Sequence, residues 1–244
     1  MAEQGTAQDG MAEEGMAEER MAAPDRDVRR EAVAALGTAL RDLVDAAVRT
    51  EVPVAELAAV EAAVREQAER LRAVGREVTG VASVDDPALG ERWYHPVYGP
   101  GSPLAPPLVI TGAVDGRIDA EVTLGKAYEG PPGLVQGGVT AALLDHALGR
   151  AARSAGRGGL TASLSVRYRR PVPLGTPLVV HAEVQGAEGR RTTAVATVAT
   201  AADPATALAE GEAVLVGLRP ERAAQVFAGM DRDIAGWTTR GEAG

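Results

Sequence analysis

Residues 128–149 combine a tight turn, a glycine pair and a single carboxylate within an apolar helical pattern. The turn is Gly-Pro-Pro-Gly, and the pair Gly137-Gly138 comes directly before a run rich in Ala and Leu. Because glycine has no side chain, free N–H groups at a helix start can approach a ligand oxygen closely. Asp145 follows about two turns later, where an acidic group usually has a partner or a function. The pattern predicts an oxyanion site at the helix start and a lone reactive carboxylate.

Composition excludes several kinds of site. The chain has 244 residues, no Cys and a net charge of −9, so disulfides and Cys-based zinc sites are excluded. The three histidines, His95, His146 and His181, lack metal-ligand spacing, and we predict no metal. The acidic balance argues against nucleic acid as the main partner. We find no membrane-spanning run and no signal peptide, and therefore expect a soluble cytoplasmic protein.

The N-terminal third predicts helices that follow a disordered leader. Residues 1–24 repeat a polar Met-Ala-Glu pattern too short to build a core, so we interpret them as a disordered acidic leader. Residues 25–80 carry apolar side chains at helical spacing on both sides of Pro53, which suits a helix start. We predict a helical hairpin here, or one helix docked on a neighbouring element. Residues 75–86 form the predicted linker.

From Leu108 onward the apolar period changes to two, which predicts a sheet. A helix over about 136–155 interrupts the strands, and the pattern predicts an α+β domain over 90–219, with an antiparallel sheet wrapped around one long central helix. In residues 220–244 we expect a C-terminal tail with a short helix near 223–227. The turn-rich segment 93–103 predicts an ordered loop over apolar groups. The predicted strands are 108–115, 117–125, 160–170, 176–187, 190–201 and 207–218.

Two motifs carry a resemblance to a known family. The first is Gly-Pro-Pro-Gly-Leu-Val-Gln-Gly-Gly-Val-Thr-Ala-Ala-Leu-Leu-Asp at 130–145, and the second is Ser-Val-Arg-Tyr-Arg-Arg-Pro-Val-Pro-Leu-Gly at 165–175. Together they resemble the PaaI-type acyl-CoA thioesterases of the hotdog superfamily, over about residues 93–218. The resemblance implies a hotdog fold, a homodimer or homotetramer, and hydrolysis of an acyl-CoA thioester to CoA and a free acid. It implies neither a metal nor a prosthetic group.

The resemblance also implies catalytic roles. It assigns the Gly137 N–H to the thioester carbonyl and makes Asp145 the general base or the nucleophile. Thr161 corresponds to a hydroxyl on the following strand. Gln136 stands where most relatives carry His, and a Gln amide donates a hydrogen bond but does not exchange a proton near neutral pH. Gly130 stands where some relatives carry Asn.

Candidate substrate-binding groups flank these positions. Gly138 follows Gly137, and Thr161, Ser163 and Ser165 alternate as if they shared one strand face. A cluster of arginines ends the same strand, and guanidinium groups pair well with phosphate. Solvated strand ends are nearly as good an explanation of that cluster. The arginines are Arg167, Arg169 and Arg170.

Geometry adds a constraint on assembly. Gly137 and Asp145 are eight residues apart, which is about 12 Å along a helix, so they cannot both serve one carbonyl group. Antiparallel helices from two subunits would place the start of one beside the middle of the other. The proposed chemistry therefore demands a dimer with two equivalent composite sites.

Other functions stay open. A hotdog hydratase or dehydratase needs an Asp–His or Glu–His pair, and His146 directly follows Asp145, whereas consecutive helix residues do not share a face. Gln136 also fits an acyl-CoA-binding module that has lost turnover. A weaker possibility is that the helical hairpin docks this domain onto another protein. No Gly-x-Ser-x-Gly elbow or phosphate-binding Gly-x-x-x-x-Gly-Lys loop occurs, which argues against an α/β-hydrolase and a nucleotide hydrolase.

Overall fold

The structure is a computed structural model that describes residues 23–86 and 90–228. The predicted leader therefore lies outside the described residues up to position 22, and so does the predicted tail from position 229 onward. The first helix begins at Ala23, inside the range expected to be leader.

Six strands and four α-helices make up the described chain. All six predicted strands and the long helix between them are confirmed, and the last strand begins four residues earlier than expected. The helices are α1 (Ala23–Arg49), α2 (Val54–Arg72), α3 (Gly137–Ser154) and α4 (Pro220–Val226), with a short 3-10 helix at Lys126–Tyr128. The strands are β1 (Val109–Val114), β2 (Arg117–Thr123), β3 (Leu160–Tyr168), β4 (Pro177–Glu188), β5 (Arg191–Thr200) and β6 (Asp203–Val216).

The strands form one antiparallel sheet that wraps around α3. Their order is β1-β2-β4-β5-β6-β3, so β1 and β3 are the edge strands. Apolar residues alternate toward the helix, as in β4, where Leu178, Val180 and Ala182 are buried. From α3, Leu144 and Leu148 are fully buried against them. Burying one such side chain stabilises the fold by about 1.5–3 kcal/mol, and this packing confirms the α+β hotdog architecture.

A glycine in β6 allows α3 to lie close to the sheet. A Cβ atom at Gly211 would stand 3.2 Å from the Cβ of Leu144, which is tighter than ordinary van der Waals contact. Gly211 pairs with Ala196 on β5 and with Val166 on β3, so it lies in the interior of the sheet. The missing side chain sets the distance between the helix and the strands.

The two predicted N-terminal helices are present and differ in how they contact the rest of the protein. Helix α1 packs against the hotdog domain: Arg30 donates to the Val84 carbonyl at 2.9 Å and pairs with Glu91 at 2.7 Å. A Cβ on Gly37 would overlap the Pro100 carbonyl oxygen, so this glycine permits the contact. Helix α2 has no buried residue and does not pack along α1. The two predicted helices are confirmed, and the alternative of one helix docked on a neighbouring element describes α1.

Within residues 23–86 and 90–228, every helix is too short or too polar to cross a bilayer.

We predict that Gly211→Val destabilises the protein by about 1–3 kcal/mol, because the added methyl groups must displace Leu144 from a close-packed contact. Urea unfolding measures the loss. Gly186→Val in β4 is the matched control, since a Cβ there meets no atom within 4 Å. Equal stability of the two variants would contradict the role given to Gly211.

Candidate active site

The start of α3 is fixed by its own sequence. Gln136 is the N-cap with extended backbone angles (φ −63°, ψ 133°), and its side-chain oxygen Oε1 accepts a hydrogen bond from the Val139 N–H at 2.9 Å. This bond satisfies one of the free donors of the first turn. Gly137 is the first helical residue, and its N–H stands among the free donors at the positive end of the helix dipole. The Gln136 side chain thus organises the predicted oxyanion site.

The turn before α3 explains why position 130 is a glycine. A Cβ on Gly130 would lie 2.8 Å from the Gln136 Cα, closer than real Cβ atoms come to backbone. The Gly130 N–H also donates to the Leu134 carbonyl at 2.9 Å, which closes the turn. An Asn at position 130, as some relatives have, does not fit this backbone unless it shifts.

Asp145 and Thr161 lie together, although 16 residues separate them. The Thr161 hydroxyl donates a hydrogen bond of 3.0 Å to Oδ1 of Asp145. The second carboxylate oxygen, Oδ2, has no hydrogen-bond donor among residues 23–86 and 90–228. It can therefore accept a proton from a water molecule or from a substrate.

A β-bulge changes which strand residues accompany Thr161. Register with β6 shifts between Thr161 and Ser163, so Thr161 lies opposite the buried Leu215 whereas Ser163 lies opposite Val214. Directly paired residues share a sheet face, and neighbours along a strand alternate. The extra residue therefore turns Thr161 toward α3 and Ser163 toward the outer face. The prediction that Thr161, Ser163 and Ser165 share one face was wrong, because it counted by twos across a bulge.

Asp145 and Thr161 open into a cavity of about 240 Å³ between α3, the start of β3 and the loop after residue 90. Gly137 and Gln136 do not line it, in agreement with their distance from Asp145 along α3. The lining comprises Gly90, Arg92, His95, Val97, Tyr98, Ala142, Asp145, His146, Gly149, Arg150, Arg153, Gly159, Leu160, Thr161 and Leu215.

Three rings form one wall of the cavity. Tyr98 stacks on His146 with centroids 4.3 Å apart, and His95 lies 4.5 Å from Tyr98 and 5.1 Å from His146. Burial lowers the pKa of His146 to about 3, helped by the positive charge of neighbouring groups. Burial also lowers the pKa of His95 to about 4, with Arg92 adding to the shift and Asp145 opposing it. Both imidazoles are therefore neutral at pH 7.

Arginines supply the charge of the cavity. The guanidinium groups of Arg92, Arg150 and Arg153 line it together with a single carboxylate, that of Asp145. Arg92 also pairs with Asp85 at 3.4 Å, outside the lining. Burial lowers the pKa of Arg153, and the charge of Arg150 lowers it further. The cavity is a cationic pocket beside one acidic group.

The predicted substrate-binding residues lie elsewhere. Arg167, Arg169, Arg170 and Ser163 do not line this cavity. The guanidinium of Arg169 is engaged by Glu210, at 3.0 Å from Nε and 2.7 Å from Nη2. Gly138 adjoins the Gln136 side chain at the helix start. Phosphate binding by the three arginines stays a prediction.

The sequence analysis did not identify the residues of the cavity wall, although the residue spacing in α3 indicates some of them. Gly149 and Arg153 follow Asp145 at i+4 and i+8, on one stripe of α3, whereas Arg150 at i+5 lies off that stripe. This spacing could have placed Arg153 on the same face of α3 as the carboxylate. Nothing in the local pattern placed His95 there, since the loop reaches the site only through the tertiary fold. Nor did the sequence indicate Tyr168, whose hydroxyl donates to the Gly137 carbonyl at 2.9 Å.

A solved crystal structure of a thioesterase superfamily protein matches this chain with a TM-score of 0.67 and 38% identity, over 75% of this chain and 94% of that chain. A family model described as the thioesterase superfamily matches residues 132–204, from the turn before α3 to the start of β6. The chain belongs to the thioesterase superfamily. The residues matched by the model include both Asp145 and Thr161.

Two curated proteins are also similar to this thioesterase superfamily member. The acyl-coenzyme A thioesterase THEM4 of Xenopus laevis is 39% identical over 67 residues, which is 28% of this chain and 30% of that protein. THEM4 of Mus musculus is 35% identical over 98 residues, which is 40% of this chain and 42% of that protein. The chain thus spans less than half the length of either relative.

The buried state of His146 predicts how stability depends on pH. Its pKa in the folded protein, about 3, lies below the unfolded value of about 6.5, so the unfolded chain binds more protons between these values. This contribution to stability is full above pH 6.5 and decreases as the pH falls toward 3. The loss of unfolding free energy between pH 7 and pH 4.5 should be smaller in His146→Phe, by on the order of 1–3 kcal/mol. An NMR titration midpoint of His146 near 6.5 would contradict this assignment.

Proposed function

We propose that this chain is an acyl-CoA thioesterase of the PaaI type that hydrolyses an acyl-CoA ester to CoA and a free carboxylic acid. The observation that carries the proposal is the Asp145 carboxylate, held by the Thr161 hydroxyl at 3.0 Å on the wall of a cavity. Superfamily membership and the resemblance to acyl-coenzyme A thioesterases support it. The substrate and the roles of individual residues are part of the proposal.

Asp145 acts as general base in the mechanism that this geometry favours. Oδ2 accepts a proton from a water molecule, and the water oxygen attacks the carbonyl carbon of the thioester. Thr161 fixes the other oxygen, Oδ1, so that the carboxylate keeps one orientation. The adduct collapses by breaking the carbon–sulfur bond, and CoA leaves as a thiolate that takes the proton back from Asp145, which restores the carboxylate. Direct attack by Asp145 through an anhydride is the alternative route.

The leaving group explains how Gln136 can replace a histidine. A thiol has a pKa of about 8.5, so the thiolate departs without a strong acid beside it. The Gln136 oxygen is already bonded to the Val139 N–H, which leaves the amide N–H₂ to donate toward substrate. On this view Gln136 orients the helix start and the substrate, and transfers no proton.

The negative charge of the adduct oxygen requires a hydrogen-bond donor. The free N–H of Gly137 is suited to this role, and such a donor contributes about 2.7–4 kcal/mol. Because Gly137 does not line the Asp145 cavity, we infer that the Gly137 of a second subunit completes each site, in a homodimer or a homotetramer. The exposed edge strand β3, where Tyr168 is 55% exposed and Leu164 37%, is a suitable surface for this contact.

We predict that Asp145→Asn lowers kcat by about 10²–10⁴-fold with little change in melting temperature, because the amide keeps the shape but cannot accept the proton. Thiol release from a panel of acyl-CoA esters measures the rate. Thr161→Ser keeps the hydroxyl and is the matched control, whereas Thr161→Val removes it and should be impaired. Undiminished hydrolysis by Asp145→Asn would remove the basis of the proposal.

A proline at Gly137 tests the oxyanion donor separately. Gly137 is the first helical residue, where proline is well tolerated, and the extended backbone of Gln136 suits a residue before proline. Gly137→Pro therefore deletes one N–H and leaves the helix in place. We predict a loss of about 10²–10³-fold in kcat with unchanged helix content by circular dichroism.

Mixing the two inactive variants tests the composite site. If each site takes Asp145 from one subunit and Gly137 from the other, random heterodimers of Asp145→Asn and Gly137→Pro contain one intact site. Activity after unfolding and refolding a one-to-one mixture should then recover to about a quarter of the wild-type value. A site built within one chain would show no recovery.

The histidines near Asp145 give the hydratase alternative a specific observation. His95 and His146 line the same cavity as Asp145, although neither is hydrogen-bonded to its carboxylate. Mass spectrometry of an enoyl-CoA incubation separates the two reactions. A hydratase adds one water molecule and leaves the thioester intact, whereas a thioesterase releases free CoA.

A further inference from the structure

The cationic wall beside Asp145 has no use in the hydrolysis described above. Proton transfer uses Oδ2 of Asp145, and the oxyanion is stabilised by the Gly137 N–H. Yet Arg92, Arg150 and Arg153 line the same 240 Å³ cavity. Half-buried guanidinium groups that share one cavity repel one another and lose part of their hydration, so a bound anion would stabilise them.

The charged side chains that line the cavity are mainly positive. The lining holds three guanidinium groups and one carboxylate, and the two imidazoles add no charge at pH 7. Asp85, which lies outside the lining, forms an ion pair with Arg92 and so compensates its charge. Arg150 has no carboxylate within ion-pair distance among the described residues, and its guanidinium lies 5.8 Å from the Tyr98 ring centre. The positive potential is therefore directed into the cavity.

We infer that the cavity binds the acyl part of the substrate and that this acyl group ends in a carboxylate. The inference rests on the proposed thioesterase function and names its substrate class: the monothioester of CoA with a short dicarboxylic acid. Arg150 and Arg153 would bind the distal carboxylate while Asp145 and Thr161 face the thioester. Val97, Ala142 and Leu215 provide apolar contacts for the methylene groups between.

The phosphates of CoA are a poorer match for these arginines. The long pantetheine arm separates the phosphates from the thioester, whereas Arg150 lies only five residues beyond Asp145, or about 7.5 Å along α3. A charge so close to the reacting group faces the acyl side of the thioester. The volume is also small, which suits a short acyl chain.

An isosteric pair of esters tests the inference on the unmodified protein. Glutaryl-CoA and 5-methylhexanoyl-CoA differ only in a terminal carboxylate that replaces an isopropyl group. We expect kcat/KM for glutaryl-CoA to exceed that for 5-methylhexanoyl-CoA at least tenfold, after spontaneous hydrolysis is subtracted, because a charged hydrogen bond favours the carboxylate. Equal or faster hydrolysis of the neutral ester would overturn the inference while supporting thioesterase activity.

Variants then connect the preference to the arginines. Arg150→Gln and Arg153→Gln should each lower the glutaryl to 5-methylhexanoyl ratio about tenfold. Arg117→Gln on β2 is the matched control and should keep the wild-type ratio, since Arg117 is exposed and outside the cavity. An unchanged ratio in both cavity variants would overturn the inference.

Failure of the proposed function is distinguishable from failure of this inference. If neither ester is hydrolysed, the thioesterase proposal fails, and calorimetric titration of the same two esters measures binding directly. Tighter binding of glutaryl-CoA that Arg150→Gln abolishes would still support the carboxylate site. Equal affinities for the two esters would exclude it.

Discussion

The fold and the site both depend on how closely α3 lies against the sheet. Leu144 and Leu148 fill the space between the helix and the strands, and Gly211 leaves room for the helix backbone to approach. Since protein interiors are packed like crystals, this contact also fixes the rotation of α3. The rotation in turn places Asp145 beside Thr161 on β3. The reactive carboxylate is thus positioned by apolar packing on the adjoining face of its own helix.

The cavity shows how one helix can separate two electrostatic environments. At its start, free N–H groups and the helix dipole favour negative charge. Further along, Asp145 lies between that end and the guanidinium groups of Arg150 and Arg153. In the proposed dimer, an acyl thioester with a distal anion would meet the helix start of one subunit at its carbonyl group and Arg150 of the other subunit at its anion. Because His95 and His146 are neutral, the wall that they form carries no titrating charge near pH 7.

The sequence predicted the elements well wherever one face of an element is buried. Alternation revealed all six strands, and the run of Ala and Leu revealed α3, because the core imposes both periods. Three features were not predicted from the sequence. The apolar stripe on α1 does not indicate which surface the helix contacts. The β-bulge at Thr161 interrupts the alternation of strand faces on which counting residues depends. The loop with His95 reaches Asp145 only through the tertiary fold. The Thr161–Asp145 contact itself needed the family resemblance, since spacing alone gives no such pair.

The docking of α1 has a consequence for how the protein can be divided. Arg30 donates hydrogen bonds to the Val84 carbonyl and the Glu91 carboxylate, and Arg41 donates to the carbonyls of Pro100 and Ser102. The residues between these anchor points include His95 and Tyr98, which form a wall of the cavity. A fragment limited to residues 90–219 would keep the sheet and the central helix but would lose α1, which supports that wall. The N-terminal helix therefore supports the pocket, although none of the side chains described for residues 25–49 lines it.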